Sequence, residues 1–428
     1  MSRTWKIGVA GLGTVGGGLI KFLSDRPNFA PAGGTAVVTG VSARSKSRPR
    51  DFDISGYAWF DDPVELAKSP ETEIFVELVG GSDGPAKASV EAALKLGKPV
   101  VTANKALIAE HGAELAALAE ANGAPLLFEA AVMGGTPAVK LVREALVGDD
   151  VISIAGILNG TCNYILSEME ANLRDFADVL SEAQAKGYAE ADPTMDVGGF
   201  DAAHKITILA ALAFGTAPNY SAAEVEGLTQ IELTDIKLAR ELGYRIRLTA
   251  SAERTSDGVS VRVHPALTPL DHPLSRTVGA TNALFIESRR TGRIFLQGPG
   301  AGEGPTAAAA AADIADVMTG ASRPVFQAPA GTLAASPKLA AGQHTGRAYF
   351  RLTVQDEPGV LAAVTETLAE SGVSIDSFLQ RPAESSGGVP VVFTTHATAE
   401  SALVEAVGHL AALPQVLGEP RMIRIARA

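Results

Sequence analysis

An α/β chain in three folded parts is what these 428 residues predict, and three observations carry that reading. The length exceeds what one compact core usually fills, so two or three domains are expected. Up to about residue 133, short apolar runs alternate with helical patterns, which implies a parallel sheet covered on both faces. The stretch 347–428 instead reads strand, helix, strand, strand, helix, strand, a ferredoxin-like order.

The elements follow in turn. "KIGVAGLGTVGGGLIKFL" is a strand, a glycine turn and a helix. "TAVVTGVSA" (35–43) is a second strand, and "EIFVELVGG" (73–81) a third, followed by the helical "AKASVEAALKLG". "KPVVTANKALIA" gives a strand and a helix start, "GAELAALAEANG" a helix, and "APLLFEAAV" (124–132) a strand. These make a Rossmann-type N-terminal domain, 1–133. Over 134–326 the texture becomes α+β, a second domain with its own sheet. Its helices lie in 160–166, 175–187 and 201–215, and its strands in 150–157, 244–254, 259–268 and 282–300. The alanine-rich helix "PTAAAAAADIADVM" (305–318) is expected to return to the first domain. "QAPAGTLAASPKLAAGQHTG" (327–346) has linker composition, and 347–428 is the tail domain.

Composition excludes several function classes. Hydrophobic content of 46% and charge of 20% are those of a folded soluble chain. A net charge of −12 argues against sequence-independent nucleic-acid binding and against adsorption to anionic lipid. The one cysteine, Cys162, excludes an intramolecular disulfide framework and a multi-thiolate zinc cluster. The opening "MSRTWKIGVAGLG" reads as neither signal nor transit peptide, and no apolar run reaches membrane-spanning length. A cytoplasmic protein is expected.

Gly11, Gly13 and Gly16 form G-x-G-x-x-G between a strand and a helix, with Thr14 and Val15 at the helix start. Glycines there permit a tight turn and close approach of a pyrophosphate, which the helix N-terminus attracts. The plainer alternative is a glycine turn that binds nothing. A carboxylate after the second strand would favour NAD. Here the stretch is "VSARSKSRPR", with Arg44, Lys46, Arg48 and Arg50, so NADP is favoured, some of these charges being merely solvated. Lys105 follows a strand's C-terminal end, where open α/β sheets bind ligands, though a surface lysine at a helix start reads the same way. Glu129 lies among small residues in "FEAAVMGGTPAV", where a carboxylate and turn carbonyls could hold a hard cation; a buried or capping glutamate is the plainer reading. "QGPGAGEGPTAAA" is a second glycine-rich loop entering a helix, either a cofactor contact or an interdomain turn.

"GYAEADPTMDVGGFDAAHK" (187–205) sets Glu190, Asp192, Asp196 and Asp201 ahead of Lys205. Asp192 precedes a proline and is extended. Asp201 and Lys205, four apart, share a helix face. The helix continues "ITILAALAF", too apolar for the surface, and a buried ion pair is costly unless used. A surface pair and a metal site remain the alternatives; His204, the one nearby histidine, faces elsewhere.

Taken together and in order, "GLGTVG", "TANKALIA", "EAAVMGGTPAV", "GILNGTCNYIL", the 187–205 block and "GPGAGEGPTA" resemble the homoserine dehydrogenase family across roughly residues 5–320. The tail, with "VQDEPGVLAAVTETLAESGVSI", resembles an ACT domain, and the combination resembles the monofunctional, ACT-bearing form. The resemblance implies reversible reduction of L-aspartate 4-semialdehyde to L-homoserine by NAD(P)H. It implies Lys205 as proton donor, Glu190 and Gly187 at the substrate, and Asp201 binding substrate and orienting Lys205. Lys105 would be a second proton-transfer candidate beside the cofactor. It implies a structural monovalent cation, usually sodium, at Glu129, Val132, Gly134 and Thr136. Gly302 would contact the cofactor, although Glu303 stands where the family often has glycine; Cys162 stands where threonine is frequent. A homodimer or homotetramer and L-threonine feedback through the tail are further implications. Three other readings stay open: a different Rossmann dehydrogenase, a non-catalytic amino-acid sensor, and a tail used only for assembly.

Overall fold

The computed structural model describes residues 3–30, 33–321, 323–339, 344–381 and 388–427; residues 340–343 of the expected linker lie outside them. The N-terminal sheet holds β1 (Thr4–Ala10), β2 (Thr35–Ser42), β3 (Ala58–Phe60), β4 (Ile74–Glu77), β5 (Val100–Thr102) and β6 (Leu126–Leu127). They run in the order β3-β2-β1-β4-β5-β6, and every pair is parallel. All residues of β4 and β5 are buried, as continuous apolar runs between two helical layers should be. The strand order reverses between β1 and β4, so the crevice for a ligand opens beyond their C-terminal ends.

One strand is shorter than its sequence implies. The run at 124–132 pairs only over Leu126–Leu127, and Glu129–Ala131 is a 3-10 turn. The cause is side-chain competition: the Glu129 N–H donates to the buried Asp313 carboxylate at 2.8 Å instead of to a neighbouring strand.

The second sheet differs more from expectation. It contains β7 (Val151–Ile157), β8 (Glu224–Val225), β9 (Tyr244–Thr255), β10 (Gly258–Pro269), β11 (Thr281–Ser288) and β12 (Gly292–Pro299). It also contains β13 (Thr345–Val354), β14 (Ile375–Gln380), β15 (Val389–Thr395), β16 (Thr398–Ala399) and β17 (Arg421–Ile425). The path is β12-β11-β7-β9-β10-β17-β13-β15-β14, with β8 beside β10 and β16 beside β13. The middle part therefore has no sheet of its own. β10 pairs in parallel with β17 of the tail through Ala266↔Arg424 and Leu267↔Ile425. Ion pairs reinforce this junction. Asp235, fully buried, accepts from Arg351 Nε at 2.7 Å and from the Tyr349 hydroxyl at 3.2 Å.

Two helices place the site. The helix Phe200–Phe214 lies under β9 and β10, with nearly every residue buried. The helix Glu303–Thr319 leaves the second part and packs Ala307, Ala310 and Ile314 into the core of the N-terminal sheet. Among the described residues no helix is long and apolar enough to cross a membrane.

Candidate active site

Asp201 sits in the first turn of the helix Phe200–Phe214, which Gly199 enters in a left-handed conformation (φ 84°). Its carboxylate is the centre of a compact network. Lys205 Nζ lies 2.7 Å from Asp201 Oδ2, and Lys105 Nζ lies 3.2 Å from Oδ1. Lys105 arrives from the N-terminal part, as the first residue of the helix Lys105–Ala121, whose cap is Asn104 accepting from the Leu107 N–H. One carboxylate thus joins two ammonium groups from two parts of the chain. Burial would raise the pKa of Asp201, but Lys205, Lys105 and Asn159 outweigh it and hold the carboxyl well below the usual range.

The donor count at Lys205 is informative. An ammonium has three N–H bonds. One goes to Asp201 and one to the Leu158 carbonyl at 2.7 Å. Among the described residues the third has no acceptor. Leu158 is itself fixed, because Asn282 Nδ2 donates to the same carbonyl at 3.0 Å.

Asn159 is a member that sequence reasoning missed as a site residue. It caps the helix Gly160–Asn172 through Oδ1, which accepts from the Cys162 N–H at 2.8 Å. Its amide then gives one hydrogen to Asp196 at 2.7 Å and one to Asp201 at 2.9 Å. Asp196 was visible as a carboxylate but not assigned; burial raises its pKa, against the Asn159 hydrogen bond. The usable signal was an asparagine at a helix start, since a capping Oδ1 leaves two N–H bonds free. The Cys162 thiol is buried, donates to the Asp196 carbonyl and is pushed far above its ordinary pKa by burial, so it is no nucleophile.

The other sequence-predicted substrate positions stand apart from this network. Glu190 is exposed, and its backbone carbonyl accepts from Gln184 Nε2 at 3.0 Å. Gly187 takes a left-handed turn (φ 74°) after the helix Phe176–Ala185. Asp192 is a local turn cap on Thr194.

The glycine motif lies at the sheet's reversal point. A Cβ on Gly11 would overlap the Leu78 carbonyl, and one on Gly16 would overlap the Gly11 carbonyl, whereas one on Gly13 would meet nothing. The first two therefore serve close packing, and the third leaves open space. Gly13 supplies no side-chain cap, so Thr14, Val15 and Gly16 begin the helix Thr14–Asp25 with N–H groups free for an anion. A cleft of about 500 Å³ runs from Gly13, Thr14 and Gly17 past Arg48, Arg50 and Phe52 to Glu303. Arg48 lines it, and Arg44 and Lys46 are exposed on the same loop. Arg50 is not free: its guanidinium donates to the carbonyls of Ser45, Lys46 and Arg48 and so shapes the loop. The Glu303 charge is offset by Lys21 Nζ at 2.8 Å. Gly302 (φ 126°) precedes Glu303 as the cap of its helix. The chain present fits a dinucleotide.

Glu129 is buried and accepts from the N–H groups of Val139 at 3.2 Å and Lys140 at 2.7 Å. Burial, then the nearby Asp313 charge, pushes its pKa up to about 7. The turn that follows is tight, with Met133 (φ 58°) and Gly134 (φ 53°) both left-handed. Among the described residues the Val132 and Gly134 carbonyls accept no hydrogen bond, while the Thr136 carbonyl accepts from the Ala138 N–H at 2.7 Å. Of the expected cation ligands, the Val132 and Gly134 carbonyls are thus the ones without a hydrogen bond among the described residues.

Comparison with known proteins agrees with this geometry. A family profile described as "Homoserine dehydrogenase" matches residues 137–315, and "Homoserine dehydrogenase, NAD binding domain" matches 11–129. "ACT domain" matches 348–415. A homoserine dehydrogenase of Neisseria gonorrhoeae is 41% identical over 427 residues, 98% of each chain. One from Pseudomonas aeruginosa is 41% identical over 428 residues, again 98% of each. The crystal structure of a homoserine dehydrogenase from Thiobacillus denitrificans superimposes with a TM-score of 0.93 at 39% identity, covering 99% of this chain and 98% of that one. A hyperthermophilic archaeal homoserine dehydrogenase mutant in complex with NADPH gives 0.64 at 28% identity, covering 73% of this chain and 97% of that one.

Proposed function

The chain belongs to the homoserine dehydrogenase family of oxidoreductases, and from that premise we propose that it reversibly reduces L-aspartate 4-semialdehyde to L-homoserine, with NADPH preferred to NADH. The observation that carries the proposal is the third N–H of Lys205, without an acceptor among the described residues, on a buried ammonium already oriented by Asp201 and the Leu158 carbonyl.

The reduced nicotinamide, when bound, supplies the hydride to the aldehyde carbon. Lys205 directs its remaining N–H at the carbonyl oxygen and gives up that proton as negative charge develops there. Asp201 stays ionised throughout, because it is held far below the usual carboxylate range, and so it orients rather than titrates. Lys105, bridged to the same carboxylate, adds positive charge on the cofactor side. Glu190 holds the substrate ammonium, at the loop that begins with Gly187. In the oxidation direction Lys205 takes the hydroxyl proton.

The cofactor preference rests on Arg44, Lys46 and Arg48 at the position after β2 where a carboxylate would select a free ribose hydroxyl. A monovalent cation, sodium by family resemblance, would be held by Glu129 with the Val132 and Gly134 carbonyls and would neutralise a buried carboxylate. L-Threonine is the effector proposed for the tail, within threonine, methionine and isoleucine biosynthesis in the cytoplasm. A homodimer or homotetramer is the proposed assembly, supported by the exposed Ile152 and Phe295 on the second sheet.

The test is oxidation of NADPH and of NADH by L-aspartate 4-semialdehyde, with and without threonine. Turnover at least about tenfold better in kcat/KM with NADPH, and inhibited by threonine, supports the reading. Equal use of both cofactors removes the NADPH preference. No turnover with bound NADPH removes the reaction.

A further inference from the structure

His204 lies between Asp201 and Lys205 on their helix, and no step above uses it. It is 4% exposed, on a helix whose other buried positions are almost all apolar or catalytic. Its ring stacks on Tyr220, with centroids 4.1 Å apart and 19° between planes. Its Nε2 faces Glu110 Oε1 at 3.4 Å, misaligned for a hydrogen bond, and its Nδ1 has no partner among the described residues. Burying an imidazole this poorly satisfied costs free energy that a leucine or phenylalanine would not.

The location gives the cost a purpose. Glu110 belongs to the helix that begins with Lys105, one and a half turns further along. His204 and Glu110 therefore meet where the N-terminal part touches the second part, across the same junction that Lys105 spans to reach Asp201. Close packing at Gly112, where a Cβ would press on Phe326 and Pro218, fixes the distance between the parts but not the roll of the Lys105 helix. A polar contact further along that helix can fix the roll. Small displacements matter here, since misplacing a catalytic group by about 1 Å can cost about 10²-fold.

We propose that His204 and Glu110 form a positioning pair that sets the Lys105 helix against the Asp201–Lys205 helix, and so governs how Lys105 meets Asp201. The proposal rests on the dehydrogenase reading. The groups facing the imidazole are Glu110 and Lys105 from one helix, Asp201 from its own helix, and Tyr220 from a short turn. Burial lowers its pKa, the Glu110 charge opposes that, and Lys105 lowers it further, so the ring is neutral at neutral pH. Protonation at acid pH would set a second positive charge against Lys105 and weaken its hold on Asp201.

His204→Phe keeps the stack on Tyr220 and removes the ring nitrogens; Glu110→Gln, at an exposed site, removes only the charge. In the complete chain, kcat for semialdehyde reduction should fall about tenfold in the first and about threefold to tenfold in the second. KM for the semialdehyde and the Kd for NADPH should stay within about twofold. The acid limb of kcat should move to lower pH in both variants. The double variant should be no worse than His204→Phe, because the two residues act as one unit. His204→Gln should recover part of the loss. If Glu110→Gln keeps the wild-type kcat and pH profile, the pair is overturned, and this holds even if His204→Phe does not fold. Losses that multiply in the double variant overturn it as well. A wild-type chain that binds NADPH but does not turn over contradicts the dehydrogenase reading instead.

Discussion

Two buried clusters in this protein combine carboxylates with lysine, and burial has opposite outcomes in them. At Asp201 one carboxylate meets two ammonium groups and an asparagine amide, and its pKa is driven down. At Glu129 and Asp313 two buried carboxylates share Lys140, which lies 3.5 Å from Asp313 and 2.6 Å from Asp316. There burial prevails, pushing Glu129 to about 7 and Asp313 to about 6. What decides the sign is the number of cations per carboxylate rather than depth. The first cluster places both ammonium groups on one carboxylate, which suits proton delivery to a developing alkoxide. The second sets Lys140 against Glu129, Asp313 and Asp316 and is short of positive charge, which would favour a bound cation.

The same acid-to-amide substitution should therefore separate the two. Asp201→Asn strips two ammonium groups of their shared counter-charge and leaves Lys205 buried without it. We expect kcat to drop about 10²- to 10³-fold and the fold to lose about 3 kcal/mol, read by progress curves and denaturant unfolding.

The next effect in size is a cation-dependent pH profile of stability. Folded Glu129 keeps its proton up to about 7, whereas its ordinary value is 4.5. The folded chain thus binds more protons between those values, so stability falls as pH rises through that window and stays lower above it. At ~1.4 kcal/mol per pKa unit the loss is about 3 kcal/mol without a small cation. Replacing a large organic cation by sodium should restore most of it at pH 8 and almost none at pH 5. A sodium effect of equal size at both pH values would place the cation elsewhere.

Asp313→Asn should have the smallest effect. The amide oxygen can still accept from the Glu129 N–H, and a like charge is removed. Activity should stay within about threefold, with stability in sodium-free buffer above pH 7 unchanged or raised by about 1 kcal/mol. A loss as large as that of Asp201→Asn would erase the distinction between the clusters.

The contrast also marks how far the sequence is readable. Gly11 and Gly16 were legible because their requirement is local: a neighbouring carbonyl leaves no room for a Cβ. Asp201 and Lys205 were legible because four-residue spacing on an apolar helix puts two charges on one buried face. Asn159 was not, since its two carboxylate partners lie 37 and 42 residues away and its local pattern reads as a turn and cap. Nor was the join of the two sheets, because the β10–β17 pairing rests on two residue pairs far apart in the chain. The strand read at 124–132 failed because a buried side chain, Asp313, takes the backbone N–H that a strand would have paired.

The central claim is that Lys205 carries the proton. Its direct test is Lys205→Ala, assayed for NADPH oxidation by L-aspartate 4-semialdehyde alongside NADPH binding measured without substrate. A fall in kcat of about 10³-fold, with the Kd for NADPH within about twofold of wild type, is what this arrangement predicts. A variant that keeps kcat within about tenfold would contradict it and pass the proton to another group, with Lys105 the next to examine.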